Sequence, residues 1–320
     1  MKILGTGRYL PKGVLSNQDL QRLVDTSDEW ITSRTGIRNR HLATDENTSI
    51  LATKAAQNAL ENAGIDPCEI ELIVVATSTP DTFIPGVSHQ VLKHLGMEGA
   101  MAFDLNAACT GFVYGLDVAA SLMKGRGFKY GLVIGAEVLS KMVNWEDRNT
   151  CVLFGDGAGA VVVGQSVDKD SLIYSKCTAI PDVDDALTSG GLAINNPLHQ
   201  EEQPAFYVQM NGQDVFKFAV SSVCESVTEA LNKTGIDPSA IDHYVLHQAN
   251  SRILSYIAKK LNLSMEKFHS TMAKTGNTSA ASIPIVLDEM NEKGLLKQGM
   301  NIVLSGFGAG LTYGTIILEW

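Results

Sequence analysis

Apolar positions along this chain follow two patterns that alternate from end to end. Short, nearly unbroken apolar runs read as buried strands: Lys2 to Tyr9, Ile70 to Ala76, the stretch through Phe103 to Leu105, Ala160 to Gly164, Tyr244 to Leu246 and Tyr313 to Glu319. Between them lie amphipathic stretches at helical spacing. Thr48 to Ala63 is one, closed by the Gly64-Ile65-Asp66-Pro67 punctuation that ends helices. Phe112 to Met123 is another, with Leu116, Ala119, Ala120 and Met123 on one face. A polar helix from about Asn17 to Val24 and a capped helix start at Ser27, ahead of Trp30 and Ile31, occupy the N-terminal region. Buried strands alternating with helices predict an α/β protein.

The pattern then repeats. Gly64-Ile65-Asp66-Pro67 returns as Gly235-Ile236-Asp237-Pro238, 171 residues on. The same shift carries Asn106 onto Asn277, Leu116-Asp117 onto Leu287-Asp288 and Gly135 onto Gly306. Four segments in one register indicate a duplication, with halves at 1–166 and 167–320 whose residues converge at the seam. Val167 to about Met210 is more polar and is expected to be a loop-rich connection that covers the site or a subunit contact. Phe154-Gly155-Asp156-Gly157-Ala158-Gly159 tempts a nucleotide-loop reading. It runs into the β-branched stretch Val161-Val162-Val163, however, and a dinucleotide loop opens a helix. Close backbone packing beside a reaction centre is the better account.

Composition narrows the class. The 320 residues are 45% hydrophobic and 19% charged, as in compact globular proteins. Five scattered cysteines suggest free thiols in a reducing compartment; no CxxC spacing is present, and the one HxxxH pair, His243 and His247, brackets a strand-like run instead of sharing a helix face, so no metal site is expected. Neither a cleavable leader nor a membrane-length apolar run is evident, so a cytoplasmic location is expected. A formal charge of −10 argues against nucleic-acid binding and requires any acidic partner to meet a local basic patch.

Candidate chemistry collects where strands turn into helices. Cys109 follows Asn106-Ala107-Ala108 at the start of the Phe112 helix, where the helix dipole would favour its thiolate and lower its pKa below about 8.5. The plainer alternative is a small buried hydrophobe. His247 ends the Tyr244 strand, and Asn277 is the repeat mate of Asn106. A Cys, a His and an Asn drawn from such junctions make a plausible covalent site. Arg34, Arg38 and Arg40 fall near Trp30, either as a solvated face or as a mouth for an anionic ligand.

The motifs Asn106-Ala107-Ala108-Cys109-Thr110-Gly111-Phe112, Leu246-His247-Gln248-Ala249-Asn250, Gly276-Asn277-Thr278-Ser279-Ala280-Ala281-Ser282 and Gly306-Phe307-Gly308-Ala309-Gly310 resemble those of β-ketoacyl-acyl-carrier-protein synthase III. That family holds the initiating condensing enzymes of bacterial type II fatty-acid synthesis. The resemblance implies a thiolase fold, five layers (αβαβα) from two duplicated halves, in a homodimer. It implies that Cys109 takes an acyl group from an acyl-CoA, with the oxyanion held by the backbone N–H groups of Cys109 and Ala309. His247 and Asn277 would then stabilise the enolate formed as malonyl-acyl carrier protein loses CO2. No metal or redox cofactor is implied, acyl-CoA being a substrate. Carried over position by position, Thr26, Trp30, Arg34 and Arg148 match the CoA mouth, and Arg252, Lys259 and Lys260 the carrier-protein surface. Ile84 matches the residue that closes the partner's acyl pocket, and being smaller than an aromatic it would admit longer or branched primers. A polyketide- or alkylquinolone-type condensing enzyme is an alternative. A non-catalytic partner subunit is another, which the intact Cys109, His247 and Asn277 disfavour.

Overall fold

The computed structural model describes residues 1–166 and 170–320, and two sheets organise it. The first contains β1 (Lys2–Tyr9), β2 (Leu72–Ala76), β3 (Met101–Leu105), β4 (Tyr130–Glu137) and β5 (Gly157–Gly164), in the order β1-β5-β4-β2-β3. The second contains β6 (Leu172–Ala179), β7 (His243–Leu246), β8 (Asn301–Gly308) and β9 (Thr312–Glu319), in the order β7-β8-β9-β6. Each sheet has a parallel pairing at matching places (β2 with β4, β7 with β8), and the two strands beyond it are antiparallel (β5 and β1, β9 and β6).

The 171-residue register holds in three dimensions. β4 begins at Tyr130 and β8 at Asn301, and one-turn 3₁₀ segments sit at Pro67–Glu69 and Pro238–Ala240. The fifth strand is where the halves differ. The counterpart of β3 is a helical turn, Met272–Thr275, and only an isolated bridge from Phe268 to Tyr244 marks the missing edge. The boundary expected between residues 166 and 167 lies at residues 167–169, outside the described residues. Just beyond it, part of the expected loop-rich connection is β6, an edge strand on β9.

Helices form the other three layers. α1 (Asp28–Thr35) is capped by the Ser27 hydroxyl, which accepts the Trp30 N–H at 3.0 Å. α2 (Thr48–Ala63) and α3 (Val87–His94) cover the outer face of the first sheet. α5 (Gly212–Thr234) and α6 (Ser251–Lys260) cover that of the second. Between the sheets lie α4 (Gly111–Arg126) and α7 (Ser282–Glu292), repeat mates that both begin straight after an elbow. Phe112, Val113, Leu116, Ile283, Val286 and Leu287 from these helices meet Val74, Val133, Val245 and Leu304 in a dry central layer. Each such side chain contributes roughly 1.5–3 kcal/mol on burial. The helix expected from Asn17 to Val24 ends at Leu20, since no apolar repeat sustains it. The glycine-rich Gly157–Gly164 is itself strand β5, and a side chain at Gly159 would stand 2.7 Å from the Ile285 nitrogen of α7. Its glycines serve close packing.

Candidate active site

Each half folds its elbow in the same way. After β3, the Asn106 carboxamide oxygen accepts the Ala108 N–H at 3.1 Å, and Ala108 turns the chain at φ 46°. A 3₁₀ turn, Ala108–Thr110, then presents Cys109 ahead of α4. In the second half the Asn277 oxygen accepts the Ser279 N–H at 2.9 Å, Ser279 takes φ 49°, and Ser279–Ala281 leads into α7. The two elbows pack against each other. The end of β8 closes over the first of them: a side chain at Gly308 would stand 2.7 Å from the Cys109 nitrogen. Neither the Cys109 nor the Ala309 N–H is engaged by another of the described residues.

The hydrogen bonds around His247 and Asn277 leave both side chains as donors. The Asn277 oxygen is occupied by Ser279, so its NH2 is the unengaged end. His247, buried at the end of β7, meets the Ser282 hydroxyl at 2.8 Å through Nδ1, and the same oxygen accepts the Gln248 N–H at 3.3 Å. Among the described residues that hydroxyl has no other acceptor. Its proton must therefore go to Nδ1, since stranding it in a buried site carries a desolvation penalty. The ring then carries its hydrogen on Nε2. Burial pushes the His247 pKa down to about 3, so the imidazole is neutral at neutral pH. The edge of Phe307, 5.0 Å away between ring centres, fixes its plane.

Cys109 departs from the expected thiolate. Burial pushes its pKa up to about 12; the Ser279 hydroxyl pulls it down, and the Glu137 carboxyl raises it further. The dipole argument fails because α4 begins at Gly111, a 3₁₀ turn beyond the sulfur, and the loss of water outweighs it. The resting centre is a thiol beside a neutral imidazole.

These residues share a cavity of about 400 Å³. Cys109, His247, Asn277 and Ala309 line it, and Arg34, Asn149 and Arg252, all exposed, mark its mouth. Leu187, Thr188, Val208 and Met210 from the connecting segment supply part of the wall, so that segment does cover the site. At the rim the Arg34 and Arg148 guanidiniums lie 4.7 and 4.8 Å from the centre of the Trp30 ring. Arg148 also donates to the Asp25 carbonyl at 2.9 Å, and the Thr26 hydroxyl is shielded from solvent without a partner among the described residues. Arg38 is exposed, but Arg40 does not belong to this mouth. It is wholly buried, donates to the Leu15 and Val152 carbonyls and to Asn17, and its burial lowers its pKa to about 10. Arg252, Lys259 and Lys260 stand on the outer face of α6, and none forms an ion pair among the described residues. Ile84 lies away from this cavity and is 91% exposed.

Three residues of the site escape sequence reasoning. Ser279 and Ser282 lie inside a quoted motif but look like spacers there. Glu137 signals itself only as an acid ending an apolar strand, Tyr130–Glu137.

Residues 231–320 match the family model described as 3-oxoacyl-[acyl-carrier-protein (ACP)] synthase III C terminal, and residues 103–180 that described as 3-oxoacyl-[acyl-carrier-protein (ACP)] synthase III. The beta-ketoacyl-[acyl-carrier-protein] synthase III of Clostridium acetobutylicum is 47% identical over 321 residues, covering 100% of this chain and 98% of that one. The protein of that name from Clostridium beijerinckii is 48% identical over 321 residues, covering 100% and 99%. The crystal structure of 3-oxoacyl-[acyl-carrier-protein] synthase III from Aquifex aeolicus superposes with a TM-score of 0.93 at 45% identity, covering 100% of this chain and 99% of that one.

Proposed function

We propose a division of labour among the residues of a chain that belongs to the 3-oxoacyl-[acyl-carrier-protein] synthase III family and catalyses the initiating condensation of fatty-acid synthesis. Cys109 attacks the thioester of an acyl-CoA, and the N–H groups of Cys109 and Ala309 receive the oxyanion until CoA leaves. Malonyl-acyl carrier protein follows. The Nε2–H of His247 and the NH2 of Asn277 donate to its thioester oxygen as CO2 departs, and the resulting carbon nucleophile attacks acyl-Cys109. The product is a 3-ketoacyl carrier protein. The observation that carries this reading is two unengaged neutral donors and one thiol lining a single cavity. Neutral donors suit an enolate that must form and then react, because they stabilise it without protonating carbon.

Thr26, Trp30, Arg34 and Arg148 hold the CoA nucleotide. Arg148 leans on Trp30 in this structure, so an adenine inserted between them displaces it. The basic face of α6 receives the acidic carrier protein, with Arg252 at the cavity mouth. A second copy of the chain covers Phe83, 69% exposed, and Ile84, placing Ile84 at the end of the partner's acyl pocket. No helix among the described residues is long and apolar enough to cross a membrane, which is consistent with a cytoplasmic enzyme. Metal and redox cofactors play no part in the scheme. The relatives do not favour the polyketide-type alternative.

The test is to incubate the protein with acetyl-CoA and then malonyl-acyl carrier protein, following adducts and products by mass. An acetyl group on Cys109 that is consumed as the 3-ketoacyl product appears is the expected result. A normal adduct on Cys109→Ala, or on Cys68, Cys151, Cys177 or Cys224, overturns the assignment.

A further inference from the structure

We propose that Tyr256, on the outer face of α6, is the apolar anchor on which the carrier protein seats, while the cations around it steer that protein into place. The inference deepens the proposed docking of the carrier protein on α6 and rests on that reading. The partner surface it calls for is an apolar side chain set among acids.

Helix α6 sorts its side chains by period. Ile253, Leu254, Ile257 and Ala258 are buried, and Arg252, Ser255, Tyr256, Lys259 and Lys260 form one exposed stripe. Tyr256 stands at the middle of it, one turn after Arg252 and one turn before Lys260, about 6 Å along the axis from each. Arg252 is at the cavity mouth, so the stripe runs outward from the entrance. Ser255 turns its hydroxyl back to the Ser251 carbonyl at 3.0 Å. The Tyr256 ring, 57% exposed, is therefore the single apolar surface that α6 shows to solvent.

An exposed aromatic alone needs no explanation. Three observations set this one apart. First, the ring is braced: it stands at 85° to Phe216 of α5 with 5.4 Å between ring centres, and Phe216 lines the cavity. Tyr256 thus carries the aromatic wall of the entrance onto the outer surface, and a braced ring loses little freedom on docking. Second, Arg252, Lys259 and Lys260 flank it without ion pairs among the described residues, and the cation–aromatic contacts there fall on Trp30, Tyr9 and Tyr130, leaving the Tyr256 ring open. Third, the groove beyond Lys260 carries Glu225 and Glu229 of α5. Glu229 is held by Lys176 at 2.7 Å, but Glu225 is exposed and turns an acidic partner back toward Tyr256. Exposed cations attract such a partner at a distance and hold it weakly. A desolvated ring within a polar rim supplies the short-range hold.

Steady-state kinetics of the full-length chain, with acetyl-CoA as primer and malonyl-carrier protein varied, test this. Tyr256→Ala should raise KM for malonyl-carrier protein at least tenfold with kcat changed less than threefold. Tyr256→Phe, which keeps the ring, should stay within threefold of wild type. Carrier protein without its pantetheine arm, added as a competitor, should inhibit Tyr256→Ala at least tenfold more weakly than wild type. The ratio of Tyr256→Ala to wild type should hold from about 0.05 M to about 0.5 M salt, whereas the loss in Lys259→Glu with Lys260→Glu should shrink over that range. A Tyr256→Ala loss that fades with salt, that Tyr256→Phe shares, or that appears equally in acylation by acetyl-CoA overturns the anchor; the last would put the ring against the pantetheine arm instead. If Tyr256→Ala keeps the wild-type KM while the charge reversals lose it, the anchor falls and docking on α6 stands. If the charge reversals and Tyr256→Ala all keep it, the docking reading itself is wrong.

Discussion

At the scale of single residues, the site works through what its hydrogen bonds leave over. Asn277 has its oxygen taken and His247 its Nδ1, so each offers a hydrogen and nothing else. If their donors act on the enolate alone, as proposed, His247→Ala and Asn277→Ala should still accept an acetyl group at Cys109 but lose decarboxylation by about 10²-fold or more. Loss of acylation with decarboxylation kept would reverse these roles. Since the His247 pKa lies near 3, decarboxylation by acylated enzyme should also run flat between pH 5 and pH 8; an inflection near 6.5 would mean that the ring titrates freely. Glu137 carries a stability signature of its own. Its carboxyl binds a proton more tightly in the folded state (about 7) than its ordinary value of 4.5, so its charge costs stability as pH rises through that window. Whatever the fixed cost of placing an amide among the same donors, the stability of Glu137→Gln relative to wild type should grow by up to roughly 3 kcal/mol from pH 4.5 to about pH 8. Denaturant melts at several pH values would show it, and a constant difference would mean that the carboxyl stays ionised.

At the scale of elements, legibility followed periodicity. Thr48–Ala63 was readable to the residue because its apolar stripe and its closing Gly64 agree. β6 was hidden because Leu172–Ala179 is an edge strand that is nowhere fully buried and mixes Ser175, Lys176 and Thr178 among its apolar positions. The Cys109 elbow and its Asn277 mate were legible from the repeat. The high pKa of the thiol was not, because desolvation by β8 and the opposite elbow is a property of the packed pair and not of either segment. Arg40 shows the same limit: three nearby arginines look alike in sequence, and packing buries only one. Helix α6 shows how the pattern sets a charged face. Ile253, Leu254, Ile257 and Ala258 are buried, which leaves Arg252, Lys259 and Lys260 facing out on a chain of net charge −10. Arg252→Glu, or Lys259→Glu with Lys260→Glu, should raise KM for malonyl-carrier protein tenfold or more while acylation by acetyl-CoA changes less than threefold. The wild-type preference should fade with added salt, which screens exposed charge over about 8 Å at physiological ionic strength. Equal losses with both substrates would remove α6 from docking.

At the scale of the whole molecule, the most exposed large apolar side chains among the described residues fall on two stretches, Phe83-Ile84 and the segment holding Val183, Leu192 and Leu198, the last 95% exposed. A lone chain in water leaves them wet, and the proposed pairing of two copies would cover the first stretch. Ile84→Phe should then cut turnover of butyryl- or isobutyryl-CoA about tenfold while sparing acetyl-CoA, since a methylene or two in a pocket is worth about 1–3 kcal/mol. An unchanged primer profile would place Ile84 outside any pocket. The crossed elbows have a consequence in time as well as space. Cys109 belongs to one sheet's half and His247 and Asn277 to the other's, and the first sheet gains its edge strand only when Lys2 pairs with Gly164. Each half can gain its strands and helices before the seam forms, but the catalyst exists only afterwards. Refolding from denaturant should therefore recover far-ultraviolet ellipticity ahead of Cys109 acylation, so the enzyme clocks its own docking step; recovery of both at one rate would show the halves fold as a single unit.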